Sequence, residues 1–139
     1  MTHTTTARAV RSGLLAAAAL LLTCATPAPA TADDALGDNW FYLTVTQGDA
    51  KSAGARSALL QCDPPKGHSR AETACAELGA AAGDIAAIPR KDGYCPTIYA
   101  PVTAHARGKW RGQPVEYRQT FSNACMMAAR TGSVFALDS

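Results

Sequence analysis

The cysteines have the most restricted chemistry of any residues in this chain. There are five, at Cys24, Cys62, Cys75, Cys95 and Cys125. Thiolates can bind zinc, but the chain contains no Cys-x-x-Cys pair, and neither His68 nor His105 lies at zinc-finger spacing. The alternative chemistry is oxidation to disulfides, which stabilise small exported domains. We therefore expect disulfides, no metal site and no cofactor.

Catalytic groups are the second chemistry that the sequence could carry. His68 lies in a polar loop and His105 in an alternating strand, where surface positions are the ordinary expectation. The sequence has no Gly-x-Ser-x-Gly nucleophile elbow. A nucleophile at Cys125 would need a free thiol, which an oxidising compartment disfavours. The sequence therefore predicts a protein that is not an enzyme and has no catalytic residues.

The segment Tyr94-Cys95-Pro96-Thr97-Ile98-Tyr99 combines a cysteine with a proline. Proline fixes its own φ angle and disfavours helical geometry in the residue before it. A disulfide at Cys95 would fix the chain shortly before Thr97, and Pro101 stiffens the following residues. These features predict an extended, rigid and exposed peptide. Such a peptide is either a disulfide-anchored connection, which composition alone favours, or a substrate mimic offered to a protease.

The start of the chain has the organisation of a secretory signal peptide. Arg8 and Arg11 form a basic start, and residues 13–23 form an apolar stretch that is too short to span a bilayer. Small residues provide cleavage sites after Ala30 or Ala32. The sequence therefore predicts a secreted, extracellular protein.

Removal of residues 1–32 would leave a single small domain at residues 33–139. It would remove Cys24 and leave an even number of cysteines for disulfides. A lipid anchor at Cys24 is disfavoured, because Thr23 stands where Gly, Ala or Ser is usual. Lys and Arg number 13 and Asp and Glu number 11, so loss of the two signal arginines leaves no net charge. We therefore expect no binding to nucleic acid or to a membrane.

Alternating apolar residues predict an antiparallel sheet in an α+β domain. Strands are predicted over residues 40–46, 55–62, 102–106, 115–121 and 133–137. On the fourth of these, Val115, Tyr117, Gln119 and Phe121 would share one face. Residues 63–68 contain two prolines and are expected to form a loop without strand pairing.

Two helices are predicted between these strands. The first covers residues 70–82 and would begin with a capping box formed by Ser69 and Glu72. The second runs from Asn123, its N-cap, to Arg130.

Several short motifs follow one another in the order and with nearly the spacing of a known family. They are Leu60-x-Cys62, Ala74-Cys75-Ala76-x-Leu78, Gly83-Asp84, Cys95-Pro96-Thr97-Ile98-Tyr99-Ala100-Pro101-Val102, Trp110-x-Gly112, Phe121-Ser122-Asn123-x-Cys125-x-Met127 and Ser133-Val134-Phe135-Ala136. Together they resemble the Streptomyces subtilisin inhibitor family over nearly the whole expected domain.

The resemblance implies a fold, a pairing of the cysteines and a site. The fold is a five-stranded antiparallel sheet with two helices. The disulfides are Cys62–Cys75 and Cys95–Cys125, which also join neighbouring cysteines in the sequence. The protein would be a secreted homodimer that packs through the sheet and inhibits subtilisin-like serine proteases. The reactive bond would join Thr97 to Ile98, within a protease-binding loop of residues 94–99.

Thr97 departs from the family pattern, in which Met or Lys is frequent at this position. Threonine is small and neutral, so it would underfill a deep chymotrypsin pocket and offer no charge to the aspartate of trypsin. Tyr94 can fill an apolar subtilisin pocket, and subtilisin-like proteases are therefore the expected target. The alternative is a secreted binding protein on the same scaffold that targets another extracellular enzyme, such as an elastase-like or non-serine protease.

Overall fold

The structure is a computed structural model that describes residues 34–48 and 54–137. One antiparallel sheet contains β1 (Trp40–Gln47), β2 (Arg56–Cys62), β3 (Pro65–Lys66), β4 (Val102–Trp110) and β5 (Gln113–Phe121). The strand order is β3-β2-β1-β4-β5, so β1 lies at the centre. Helix α1 (Ala71–Ala80) follows β3, and helix α2 (Ala124–Thr131) follows β5. The α+β class with five strands and two helices is confirmed, while the expected signal peptide, residues 1–32, lies outside the described residues.

The alternation of β1 divides the sheet into an inner and an outer face. Phe41, Leu43 and Val45 are fully buried, whereas Tyr42 between the first two is 40% exposed. The helices cover the inner face, to which α1 contributes four buried residues, Ala71, Ala74, Cys75 and Leu78. Burial of this apolar set is the main source of stability, at about 25 cal/mol per Å² of apolar surface. The outer face carries Tyr42, and no helix of the described residues covers it.

The predicted pattern of the strand 115–121 is largely confirmed. Phe121 is buried, and Val115 and Tyr117 are half-buried against the core. Gln119 lies exposed at the edge of the sheet, because β5 is the outermost strand on that side.

The prediction that residues 63–68 form an unpaired loop is wrong. Pro65 pairs with Cys62, and Lys66 pairs with Gln61, so that β3 extends the sheet by two residues. Proline is tolerated there because β3 is an edge strand, where a missing N–H need not interrupt the ladder.

The predicted strand at residues 133–137 is also wrong. This segment forms turns, in which the Val134 N–H donates to the Thr131 carbonyl at 3.3 Å and the Ala136 N–H donates to that of Ser133 at 3.1 Å. Its apolar residues fill the core instead of pairing with a strand, since Val134, Phe135 and Leu137 are all buried. A short apolar run does not by itself distinguish a strand from a buried turn.

The capping box predicted for α1 is wrong as well. The helix begins at Ala71, so the N-cap is Arg70, and its side chain makes no capping hydrogen bond. The Arg70 N–H instead donates to Nδ1 of His68 at 2.9 Å. Ser69 therefore lies before the N-cap, where its hydroxyl is displaced from the position that a capping box with Glu72 requires.

Gly83 follows α1 and lies against Trp110, the last residue of β4. The Gly83 N–H donates to the Leu78 carbonyl at 2.8 Å, and Gly83 has a φ of 84°. A Cβ atom at Gly83 would collide with the Trp110 ring. Glycine is therefore required both for the backbone angle and for the close approach of the indole.

Candidate functional site

Residues 89–101 connect the 3₁₀ turn Ile85–Ala87 to β4 without regular secondary structure. Within them, the side chains of Tyr94, Ile98 and Tyr99 are 89%, 68% and 78% exposed. Thr97 is exposed as well. Clustered large apolar side chains in water mark interaction surfaces. We call residues 94–99 the exposed loop.

A disulfide joins the exposed loop to α2. Cys95 and Cys125 are bonded, with their Cα atoms 5.7 Å apart. The second disulfide, Cys62–Cys75, joins β2 to α1 with a Cα separation of 5.5 Å. Both pairings are those that the resemblance implies. Only the first contacts the loop, so the two disulfides support different parts of the molecule.

Asn123, at the start of α2, supports the exposed loop through hydrogen bonds. Its Nδ2 atom donates to the carbonyl oxygens of Pro96 and Ile98, each at 3.0 Å. Its Oδ1 atom accepts from the Met126 N–H at 2.9 Å and so caps α2, as predicted. Asn123 is buried, with only 8% of the residue exposed. One amide group thus ties the peptide units on either side of the Thr97–Ile98 bond to the start of a helix.

Backbone hydrogen bonds hold both ends of the segment. The Lys91 N–H donates to the Ala129 carbonyl of α2 at 2.9 Å, before the exposed loop. The Ala100 N–H donates to the Ser122 carbonyl at 2.9 Å, immediately after it. These two bonds fix the loop at both ends. Between them, the Cys95 disulfide and Asn123 hold it.

The structure brings the sequence-predicted loop residues together with Cys125 in one exposed site. Cys62 and Cys75 lie in β2 and α1 and join those two elements. Sequence reasoning identified Asn123 only as a helix cap and missed its contacts with the loop. The residue type was a signal for these contacts. Among the preferred N-cap residues, asparagine is the one whose side chain also carries two N–H donors.

The loop presents exposed peptide bonds to solvent. Its six residues include no carboxylate, histidine or amine. Its carbonyl oxygens at Pro96 and Ile98 are already bound to Asn123. The geometry therefore suits a partner that binds extended peptides.

Comparison with known proteins gives a consistent result. A family model described as subtilisin inhibitor-like matches residues 38–123. A protein from Streptomyces avermitilis is 56% identical over 134 residues, covering 96% of this chain and 90% of that protein. The subtilisin inhibitor of Streptomyces albogriseolus is 42% identical over 125 residues, covering 86% of this chain and 87% of its own.

A solved structure is also similar. It is the crystal structure of Streptomyces caespitosus sermetstatin in complex with Bacillus licheniformis subtilisin. The match has a TM-score of 0.56 and 33% sequence identity, and it covers 70% of this chain and 97% of that one. The agreement of fold, disulfides and sequence shows that this chain belongs to the subtilisin inhibitor-like family.

Proposed function

We propose that the chain is a substrate-mimicking inhibitor of subtilisin-like serine proteases, with Thr97–Ile98 as its reactive bond. The observation that carries this proposal is Asn123, whose amide binds one carbonyl on each side of that bond. The protease-binding loop would be residues 94–99. The names of the relatives and the subtilisin bound to sermetstatin support the choice of target.

Substrate mimicry follows from the direction of the loop carbonyls. Successive peptide units of an extended chain face opposite sides. Because the carbonyls of Pro96 and Ile98 face Asn123, that of Thr97 is expected to face outward. The catalytic serine of a protease would meet the outward carbonyl as it meets a substrate. Residues before Thr97 would lie along the enzyme cleft as an added strand.

Resistance to hydrolysis follows from the same contacts. Attack by the serine would form an acyl bond at Thr97 and release the amine of Ile98. Asn123 holds the carbonyl of Pro96 on the acyl side and that of Ile98 on the amine side. The released amine would therefore remain beside the acyl group, and religation would compete with hydrolysis. The preformed loop also loses little conformational freedom on binding, which strengthens the complex.

We also propose that the protein is secreted and forms a homodimer. Two disulfides in so small a domain fit an oxidising compartment. The outer sheet face around Tyr42 is not covered by the described part of the chain and would form the dimer contact. The exposed loop is bonded to α2, and the helices cover the opposite, inner face, so each protomer could bind a protease.

Titration of the purified protein against subtilisin, trypsin, chymotrypsin and elastase tests the proposal. We expect stoichiometric inhibition of subtilisin and slow cleavage between Thr97 and Ile98. Thr97→Pro should abolish both, while Thr120→Pro on the edge strand β5 should leave an inhibitor of lower stability. Rapid cleavage of the wild-type loop without inhibition would contradict the proposal. Inhibition of elastase alone, or of a non-serine protease, would favour the alternative target.

A further inference from the structure

Lys91 is held at both its backbone and its side chain. Its N–H donates to the Ala129 carbonyl of α2 at 2.9 Å. Its Nζ atom lies 2.8 Å from Oε1 of Glu77, on α1. Lys91 therefore fixes the chain to two helices shortly before the exposed loop begins.

Glu77 occupies the junction of α1, the turn after α2, and the segment that leads to the loop. Its side chain is only 18% exposed. While Oε1 binds Lys91, Oε2 accepts the Ser133 N–H at 2.6 Å. A Cβ atom at Gly132 would collide with this carboxylate, so a glycine leaves it the necessary space. Both oxygens of one carboxylate thus connect three segments that are distant in the sequence.

Only three residues separate Lys91 from the disulfide at Cys95. They are Asp92, Gly93 and Tyr94, and all are exposed. Glycine permits many backbone conformations, and a Cβ atom at Gly93 would meet nothing within 4 Å. The direction of Tyr94 therefore depends on its two fixed neighbours in the chain, Cys95 on one side and Lys91 on the other.

We propose that Glu77, through its ion pair with Lys91, is a positioning residue that sets how Tyr94 is presented to the protease. This inference rests on the proposed function. The disulfide fixes the end of this short connection next to the reactive bond. The Glu77–Lys91 pair fixes the other end, and Tyr94 between them reaches the apolar protease pocket with less conformational freedom to lose. Glu77 is mostly shielded while Lys91 is 54% exposed, so the pair is partly shielded and salt screens it less than a fully exposed pair.

A double-mutant cycle with Tyr94 tests the inference. Glu77→Gln keeps an acceptor for the Ser133 N–H but removes the charge, and Lys91→Met keeps the aliphatic stem. We expect each to raise the inhibition constant for subtilisin about three- to tenfold, an effect typical of directly coupled residues. Neither should change that constant when Tyr94 is already Ala. Glu72→Gln on the same helix and Lys66→Met on β3 are the matched controls and should have no effect.

The outcomes separate positioning from a purely structural role and from failure of the proposed function. An equal loss on the wild-type and Tyr94→Ala backgrounds would overturn the inference, because Glu77 would then act without Tyr94. Unchanged inhibition in both Glu77→Gln and Lys91→Met would overturn it too. Thermal unfolding of each variant verifies that it is folded at the assay temperature. If the wild-type protein itself does not inhibit subtilisin, the proposed function is wrong, and this result is distinct from every outcome of the mutant cycle.

Discussion

The side-chain nitrogen of Asn123 lies 3.0 Å from the carbonyl oxygen of Ile98, although the two residues are 25 positions apart in the sequence. The same nitrogen binds Pro96, so its two N–H groups are used on opposite sides of Thr97. The amide oxygen caps α2 at the same time. Support of the loop and initiation of the helix are therefore functions of a single side chain, and substitutions can separate them.

Asn123→Ala should destabilise the protein and change it from an inhibitor of subtilisin toward a substrate of that protease. Loss of the cap and of the two hydrogen bonds that the shielded Asn123 amide donates to the loop should lower the free energy of unfolding by about 2–4 kcal/mol. Without the contacts on either side of Thr97–Ile98, subtilisin should hydrolyse that bond faster. Denaturant unfolding and mass spectrometry of the protein incubated with subtilisin measure the two effects.

Asn123→Asp is the matched variant, because aspartate is also a good N-cap. It should retain most of the stability of α2 but place a carboxylate oxygen against the carbonyls of Pro96 and Ile98. We expect cleavage by subtilisin as fast as in Asn123→Ala despite the smaller loss of helix stability. Slow cleavage of both variants would contradict the role given to the Asn123 amide.

The two disulfides should contribute similarly to stability but differently to inhibition. They close loops with sequence separations of 30 and 13 residues, for which chain entropy predicts contributions that differ by only about 0.7 kcal/mol. Replacing Cys95 and Cys125 by serine should free the exposed loop and replace inhibition with hydrolysis. Replacing Cys62 and Cys75 should lower stability by about 3 kcal/mol while the folded protein still inhibits.

Inhibition constants and unfolding free energies of both serine double variants, measured at one low temperature, test this division. Retention of inhibition without Cys95–Cys125 would show that Asn123 alone suffices to hold the loop. Loss of inhibition in the folded protein without Cys62–Cys75 would show that the scaffold disulfide also orders the loop.

Local sequence patterns predicted the parts of this fold that depend on local chemistry. The predicted alternation of β1 and the predicted cap at Asn123 are confirmed. The first depends only on the burial of one sheet face, and the second only on the start of one helix. The strand predicted at residues 133–137 failed, because an apolar run fills a core equally well as a turn. The capping box at Ser69 failed because His68 takes the acceptor role and α1 begins one residue later than it requires.

The contacts that shape the candidate site were largely beyond local patterns. The loop was recognised from Cys95, Pro96 and the family motifs. The hydrogen bonds from Asn123 to its carbonyls, and the pair Glu77–Lys91, join residues whose proximity only the packed helices create. Single-sequence periodicity contains no information on which polar groups meet across elements.

The nature of residue 97 should decide which proteases are inhibited. Thr97 offers no charge to the aspartate in the trypsin pocket. Thr97→Lys should therefore strengthen trypsin inhibition by about 100-fold, the scale of a well-formed buried charge pair. Thr97→Met provides the length without the charge and should not produce this gain. An equal effect of the two substitutions on trypsin would place residue 97 outside the specificity pocket.

Tyr117 should make stability fall at high pH. Burial raises the pKa of its phenol above the ordinary value of 10.0, Arg130 lowers it, and Asp84 raises it further. A pKa that is higher in the folded state means that the neutral phenol stabilises the fold below pH 10 and that this contribution disappears as pH rises through the raised value. Tyr117→Phe should lose less stability than the wild type above pH 10, as measured by urea unfolding. Tyr99→Phe, on the exposed loop, should follow the wild type.

Tyr42 should control the proposed homodimer. It lies on central strand β1, is 40% exposed on the outer face, and has the Arg107 guanidinium 5.6 Å from its ring centre. A two-fold contact between outer faces would bury both copies of Tyr42, so Tyr42→Glu would bring two carboxylates into a desolvated interface. We expect a monomer by analytical ultracentrifugation that still inhibits subtilisin, because the exposed loop is unaffected. Tyr94→Glu should remain dimeric while inhibition weakens. A dimeric Tyr42→Glu variant would move the contact away from this face.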